Sequence, residues 1–144
     1  MVIPSGPLGA IACVRGEGAL RGVVKFYPVD CGTLVVAELV GLPYSESGFF
    51  AMHIHEGESC TGQEYADTKG HFNPTGQPHP RHAGDLPSLL SQDGKAVQAV
   101  VTNRFTVWDI IGKTVVIHSG PDDFHSQPAG NSGRKIGCGR ICCP

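Results

Sequence analysis

The sequence predicts an all-β fold, and three observations carry that prediction. Glycine and proline occupy 31 of 144 positions (20 Gly plus 11 Pro), about 22% against roughly 12% in average proteins. Only residues 95–111 are free of both for long enough to make an ordinary helix; every other such stretch is eight residues or shorter, which is strand length. Between the turn residues, short runs are either continuously apolar or alternate apolar with polar. A chain of this size is expected to form one domain with a core of its own.

Eight strands follow in order. Residues 10–14 (AIACV) stop at Gly16-Glu17-Gly18, residues 22–27 at Pro28, and residues 33–40 at Gly41-Leu42-Pro43. These turn signals predict hairpins or a meander through the first four strands, the fourth being 49–55 (FFAMHIH). Residues 86–91, 96–103, 114–119 and 136–142 supply the other four. Residues 104–111 either extend the sixth strand or make a short helical turn before Gly112, and function is not expected to depend on them. Two long connections remain, 56–85 and 120–133. Loops of that length in a compact domain are usually functional.

Composition excludes several roles. The net charge is −2, 17% of residues are charged, and there is no run of like charges, so neither nucleic acid nor an anionic membrane surface is an expected partner. No apolar stretch approaches the roughly 18–20 residues of a membrane span. The first ten residues, with Pro4, Gly6, Pro7 and Gly9, lack the charged and apolar regions of a targeting peptide. The chain therefore reads as cytoplasmic as it stands, or extracytoplasmic if a targeting segment has been removed.

Histidine is the informative residue. Five of the seven fall between His53 and His82. His53 and His55 are two apart in a predicted strand, so both imidazoles leave one face while Met52 and Ile54 turn to the core. The following loop adds His71, His79, His82 and Asp85, with Pro74, Pro78 and Pro80 stiffening the path between them. His118 ends another strand beside the second long connection. Seven imidazole and carboxylate donors without a thiolate suit Zn(II) and Cu(II). None of the six cysteines forms a C-x-x-C pair, so disulfides or inert thiols are expected rather than a thiolate metal site. Hydrolases of the H-x-H-x-D-H type would need Asp and His where Gly57 and Glu58 stand. Cupins would need a glutamate further from the second histidine than Glu58. Neither pattern fits.

The ordered segments His53-Ile54-His55, Gly70-His71-Phe72-Asn73-Pro74, His79 with His82-Ala83-Gly84-Asp85-Leu86, Val116-Ile117-His118, Gly130-Asn131 and Cys138-Gly139 resemble the copper/zinc superoxide dismutase family across essentially the whole chain. The short His55 to Cys60 interval and the compact second loop resemble bacterial members. The resemblance implies an eight-stranded Greek-key β-barrel of the immunoglobulin-like sandwich class, with two long functional loops. It implies copper held by His53, His55, His71 and His118, and zinc held by His71, His79, His82 and Asp85, with His71 bridging the two. Asp122 matches the carboxylate that hydrogen-bonds His53 and His79. Asp123 is then a solvated loop residue, and His125 an ordinary loop histidine.

The implied activity is dismutation of superoxide, a small anion, by alternate reduction and reoxidation of copper. Zinc performs no redox chemistry. A non-catalytic copper- or zinc-binding module of the same fold is the alternative, although such members usually lack copper ligands. A hydrolase is disfavoured because no nucleophile pattern accompanies the ligands. The family contains monomers as well as dimers, so a homodimer is among the states the resemblance implies. Cys60 and Cys138 match the family's disulfide, and Cys13 matches a buried core thiol. Cys31, Cys142 and Cys143 are additions, and a second bridge from Cys31 to Cys142 or Cys143 is an expectation to be tested. Where the family carries an arginine three residues before the second bridging cysteine, this chain has Lys135, with Arg134 one place earlier. Lysine keeps the charge but loses the planar fork, so the resemblance implies slower, less oriented anion capture, unless a one-residue bulge presents Arg134 instead.

Overall fold

The computed structural model describes residues 4–144; the first three residues of the N-terminal segment lie outside it. The chain is organised as β1 (Ala10–Gly16), β2 (Arg21–Val29), β3 (Gly32–Val40), β4 (Phe49–Phe50), β5 (Met52–His55), β6 (Leu89–Leu90), β7 (Ala96–Thr102), α1 (Val107–Ile110), β8 (Thr114–His118) and β9 (Lys135–Cys142), with a 3₁₀ turn at Gln63–Thr68. Among the described residues, seven strands form one antiparallel sheet in the order β5-β8-β9-β1-β2-β3-β7, and β4 pairs with β6. The sheet curls around a core that includes Val14, Phe26, Leu39, Phe50, Ile54 and Ile117. This is the all-β class that the sequence pattern predicts and the barrel that the resemblance implies. Among the described residues no helix is long and apolar enough to cross a membrane.

The meander is three strands long. After Gly41-Leu42-Pro43 the chain crosses the barrel, and β7 takes the place beside β3 that a four-strand meander would give to β4. The expected strand 49–55 is one extended run that changes partner at Ala51: β4 pairs with β6, while β5 pairs with β8. The expected strand 86–91 contracts to Leu89–Leu90, since Pro87 has no N–H to donate to a ladder. Residues 104–111 form a turn leading into α1, closed by a reciprocal Thr106–Asp109 cap. Phe105, Val107 and Ile110 drop into the core there.

The cysteines need two corrections. On β1 the inward positions are Ala10, Ala12 and Val14, so strand alternation turns Cys13 outward and exposes it. Cys31, Cys142 and Cys143 are free thiols, so no second bridge forms. β2 and β9 do end at the same pole of the barrel, but β1 lies between them.

Cys60 and Cys138 are bonded across 78 residues, with their Cα atoms 5.7 Å apart. The bridge fastens the loop after β5 to β9, whose first residue is Lys135. A loop of this length loses much of its unfolded-state freedom on cross-linking. Replacing both cysteines by serine should therefore lower unfolding free energy by about 2–4 kcal/mol, measured by urea denaturation of the metal-free protein. A change below ~0.5 kcal/mol would show that the bridge contributes no such constraint.

Candidate metal centre

The site is built on one sheet edge. β5 pairs with β8 through Met52–Ile117, His53–Val116, Ile54–Val115 and His55–Thr114, and its other edge is covered by the loop 56–85. Ile54 N–H donates to Gly84 O at 2.9 Å, Phe72 N–H to Ile54 O at 2.8 Å and Gly84 N–H to Phe72 O at 2.9 Å. A side chain at position 84 would collide with the Ile54 carbonyl, so only glycine lets the loop approach this closely. Phe72, Ala83 and Leu86 are buried in the core. They anchor the loop while His71, His82 and Asp85, their neighbours in sequence, face the site.

Two donor groups share one histidine. His53, His55, His71 and His118 form the first, and His71, His79, His82 and Asp85 form the second. In the first, His118 Nε2 lies 3.1 Å from His53 Nδ1 and 3.3 Å from His55 Nε2. In the second, Asp85 Oδ1 is 2.7 Å from His71 Nδ1, and Asp85 Oδ2 is 3.0 Å from His79 Nδ1 and 3.2 Å from His82 Nδ1. Four donors at 2.0–2.1 Å around a tetrahedral ion would stand roughly 3.3 Å apart. The donor chemistry and spacing therefore fit a cation. Two buried nitrogens, His71 Nε2 and His79 Nδ1, make no hydrogen bond. Both belong to these groups, and an unpartnered buried nitrogen of this kind is what a metal ion satisfies.

The remaining ring nitrogens are fixed from outside. Asp122 Oδ2 lies 2.8 Å from His53 Nε2 and Asp122 Oδ1 lies 2.8 Å from His79 Nε2, so one carboxylate spans both groups. His55 Nδ1 donates to Lys69 O at 2.8 Å, which leaves Nε2 for the centre. Burial pushes the His118 imidazole down to about 3, helped by the field of His53. Burial likewise holds His55 well below the ordinary imidazole range, with His71 adding to the effect. Burial works against the Asp122 carboxylate, yet hydrogen bonds from His53, His79 and the Phe124 N–H outweigh it and hold its pKa far below the usual range. His55 and His118 are thus held neutral beside an ionised Asp122, the protonation state that metal binding requires.

A cavity of about 580 Å³ opens onto His55, His71, His82 and His118, and its rim includes Glu64, Lys69, Arg134 and Lys135. The register of β8 and β9 shifts after Ile117, so that Lys135 stands opposite His118. A bulge is present, then, but it brings forward Lys135. Arg134 is instead paired at the surface with Glu17. The Lys135 ammonium donates to Thr68 Oγ1 at 2.8 Å and to Lys69 O at 3.1 Å, and partial burial draws its pKa below the ordinary lysine value. His125 is exposed and belongs to neither donor group, while Asp123 accepts the N–H groups of His125 and Ser126 and closes a local turn.

Two supporting residues escape the sequence reading. Gln127 Oε1 accepts from His79 N–H at 2.9 Å and its Nε2 donates to His79 O at 2.6 Å, clamping one loop to the other. Arg104 Nη1 donates to Pro80 O at 2.7 Å and His82 O at 3.1 Å, so the stretch 104–111 does bear on the site, contrary to expectation. Both contacts are long-range and neither residue belongs to a ligand pattern, so no local signal marks them.

Fold and site together define a β-barrel metalloprotein in which one histidine is common to two adjacent donor groups. The chain belongs to the copper/zinc superoxide dismutase family, whose model matches residues 20–141. It is 36% identical over 143 residues to superoxide dismutase (Cu-Zn) 2 of Aquifex aeolicus, a match covering 89% of this chain and 82% of that protein. It is also 32% identical over 146 residues to the copper chaperone for superoxide dismutase of Rattus norvegicus, covering 92% of this chain but 52% of the chaperone. Among solved structures it resembles the clock protein EA4, with a TM-score of 0.83, 29% identity and 96% of each chain covered. The family implies copper and zinc, which the donor chemistry fits.

Two outcomes follow, the first for the metal-free protein. An unfolded chain takes up protons near pH 6.5 that buried His53, His55, His82 and His118 refuse in the fold, so stability is greatest above that pH and falls below it. The slope should approach about 1.4 kcal/mol per pH unit for His118, whose pKa in the fold is about 3, with the other three adding in the same direction. Melting temperatures between pH 7.5 and 5 measure this, and a flat profile would contradict it. Gly130 has φ of 68°, and a Cβ there would strike the Asp122 carboxylate and come within 2.7 Å of His79 Nε2. Gly130→Ala should therefore cost about 2 kcal/mol or more and lower bound zinc per chain, read by denaturation and elemental analysis.

Proposed function

We propose that this protein is a superoxide dismutase, converting two superoxide ions and two protons to O₂ and hydrogen peroxide. In this reading His53, His55, His71 and His118 hold copper, and His71, His79, His82 and Asp85 hold zinc. The carrying observation is that both donor sets are complete and meet at His71, whose Nδ1 faces Asp85 while its Nε2 is buried without a hydrogen-bond partner. When bound, copper supplies and recovers the transferred electron, and zinc contributes charge and geometry.

The chain's own residues do the rest. The Lys135 ammonium at the cavity rim attracts the anion and offers it a hydrogen bond. In this reading His71 Nε2 holds the proton that departing peroxide needs and gives it up again. Asp122 keeps His53 and His79 in one tautomer each, and Lys69 O does the same for His55. A metal-binding module without catalysis is the second reading, favoured by the similarity to copper chaperones.

Protein reconstituted with copper and zinc should accelerate superoxide decay, followed by stopped-flow absorbance, whereas zinc-only protein should not. Raising ionic strength should slow the loaded protein, because a cation steers an anion. Absence of copper-dependent decay would leave the module reading standing. Lys135→Arg should raise the rate and retain its salt dependence; an unchanged rate would remove Lys135 from the anion path.

A further inference from the structure

We propose that Thr68 is a positioning residue for anion capture: its hydroxyl fixes the Lys135 ammonium at the cavity rim. The inference rests on the dismutase reading for its substrate but on local geometry for its anion site.

A lysine at this position carries a compact charge on a flexible four-carbon stem, without the preorganised fork of arginine. Something else must hold it. Thr68 is fully buried. Its hydroxyl donates to Tyr65 O at 2.7 Å, so its single proton is spent and the oxygen can only accept from Lys135 Nζ, 2.8 Å away. Donating one way and accepting the other, the hydroxyl is polarised along the chain from Lys135 to Tyr65. The second acceptor is Lys69 O, 3.1 Å from Lys135 Nζ, which also takes the His55 Nδ1 proton at 2.8 Å. An ammonium has three N–H groups, and with two spent one remains for an anion.

The acceptors are themselves anchored. Gly57 N–H donates to Thr68 O at 2.8 Å, Thr114 Oγ1 donates to Gly57 O at 3.0 Å, and Glu56 N–H donates to Gly70 O at 2.8 Å. A Cβ at position 57 would collide with the backbone of Asp67 and Thr68, so glycine permits this approach. The Cys60–Cys138 bridge holds the same segment to β9 three residues beyond Lys135. The cation is thus placed by a strap from the loop, in register with His118 across the sheet.

The test uses the copper- and zinc-loaded protein, with azide as the anion probe followed by visible absorbance. Thr68→Val keeps the shape and removes the acceptor, and Thr68→Ala also removes the acceptor should the valine variant misfold. Either should weaken azide binding and lower kcat/KM for superoxide roughly three- to tenfold with kcat unchanged. Thr68→Ser should restore azide affinity to within about twofold of the parent. In the Lys135→Met background, Thr68→Val should have no further effect, because the group it positions is gone. Azide bound as tightly by correctly folded Thr68→Val as by the parent would overturn the inference, as would additive losses in the double variant. If superoxide decay is absent but azide affinity follows this pattern, the dismutase reading fails and the positioning role of Thr68 stands.

Discussion

β5 gives one hydrogen-bonding edge to β8 and the other to the loop 56–85, and the second of these pairings governs the site. Through it, His53 and His55 on the strand meet His71, His82 and Asp85 on the loop at a separation set by backbone hydrogen bonds. Both sides of the join are inflexible. The strand is locked in the sheet, and the loop is locked by Phe72, Ala83 and Leu86 in the core. Side chains mounted on such a frame stand at ligand distances without reorganisation, and metal binding then loses little conformational entropy.

A second tier of contacts makes the two donor groups interdependent. Asp122 reaches one histidine of each, and His71 belongs to both. Moving either group moves the other. Gln127 and Arg104 extend the coupling by gripping the main chain at His79, Pro80 and His82. The buried, unprotonated imidazoles are the cost of this arrangement in the metal-free state, and it is why acid should weaken that state.

The cavity rim follows the same logic with different parts. The cation is a lysine, so its direction comes from what it touches. Thr68 and Lys69 O do for it what a planar guanidinium would do through its own geometry. Arg134, the neighbouring candidate, is spent on Glu17.

The candidate metal donors were legible in the chain because they are local patterns: H-x-H puts two donors on one strand face, and H-A-G-D-L sets donors beside core anchors. The all-β class was legible for the same reason, since glycine and proline interrupt every helix-length run but one. Four features depend on contacts between segments distant in sequence and were decided only by folding. The partner switch at Ala51 and the crossing after β3 follow from which strands find each other. The outward turn of Cys13 follows from a register that puts Ala12 inside. The selection of Lys135 over Arg134, with Thr68 beneath it, follows from a bulge opposite His118. Spacing along a chain fixes which side chains share a face, but distances between faces are set by backbone pairing and core packing, which no short stretch of sequence contains.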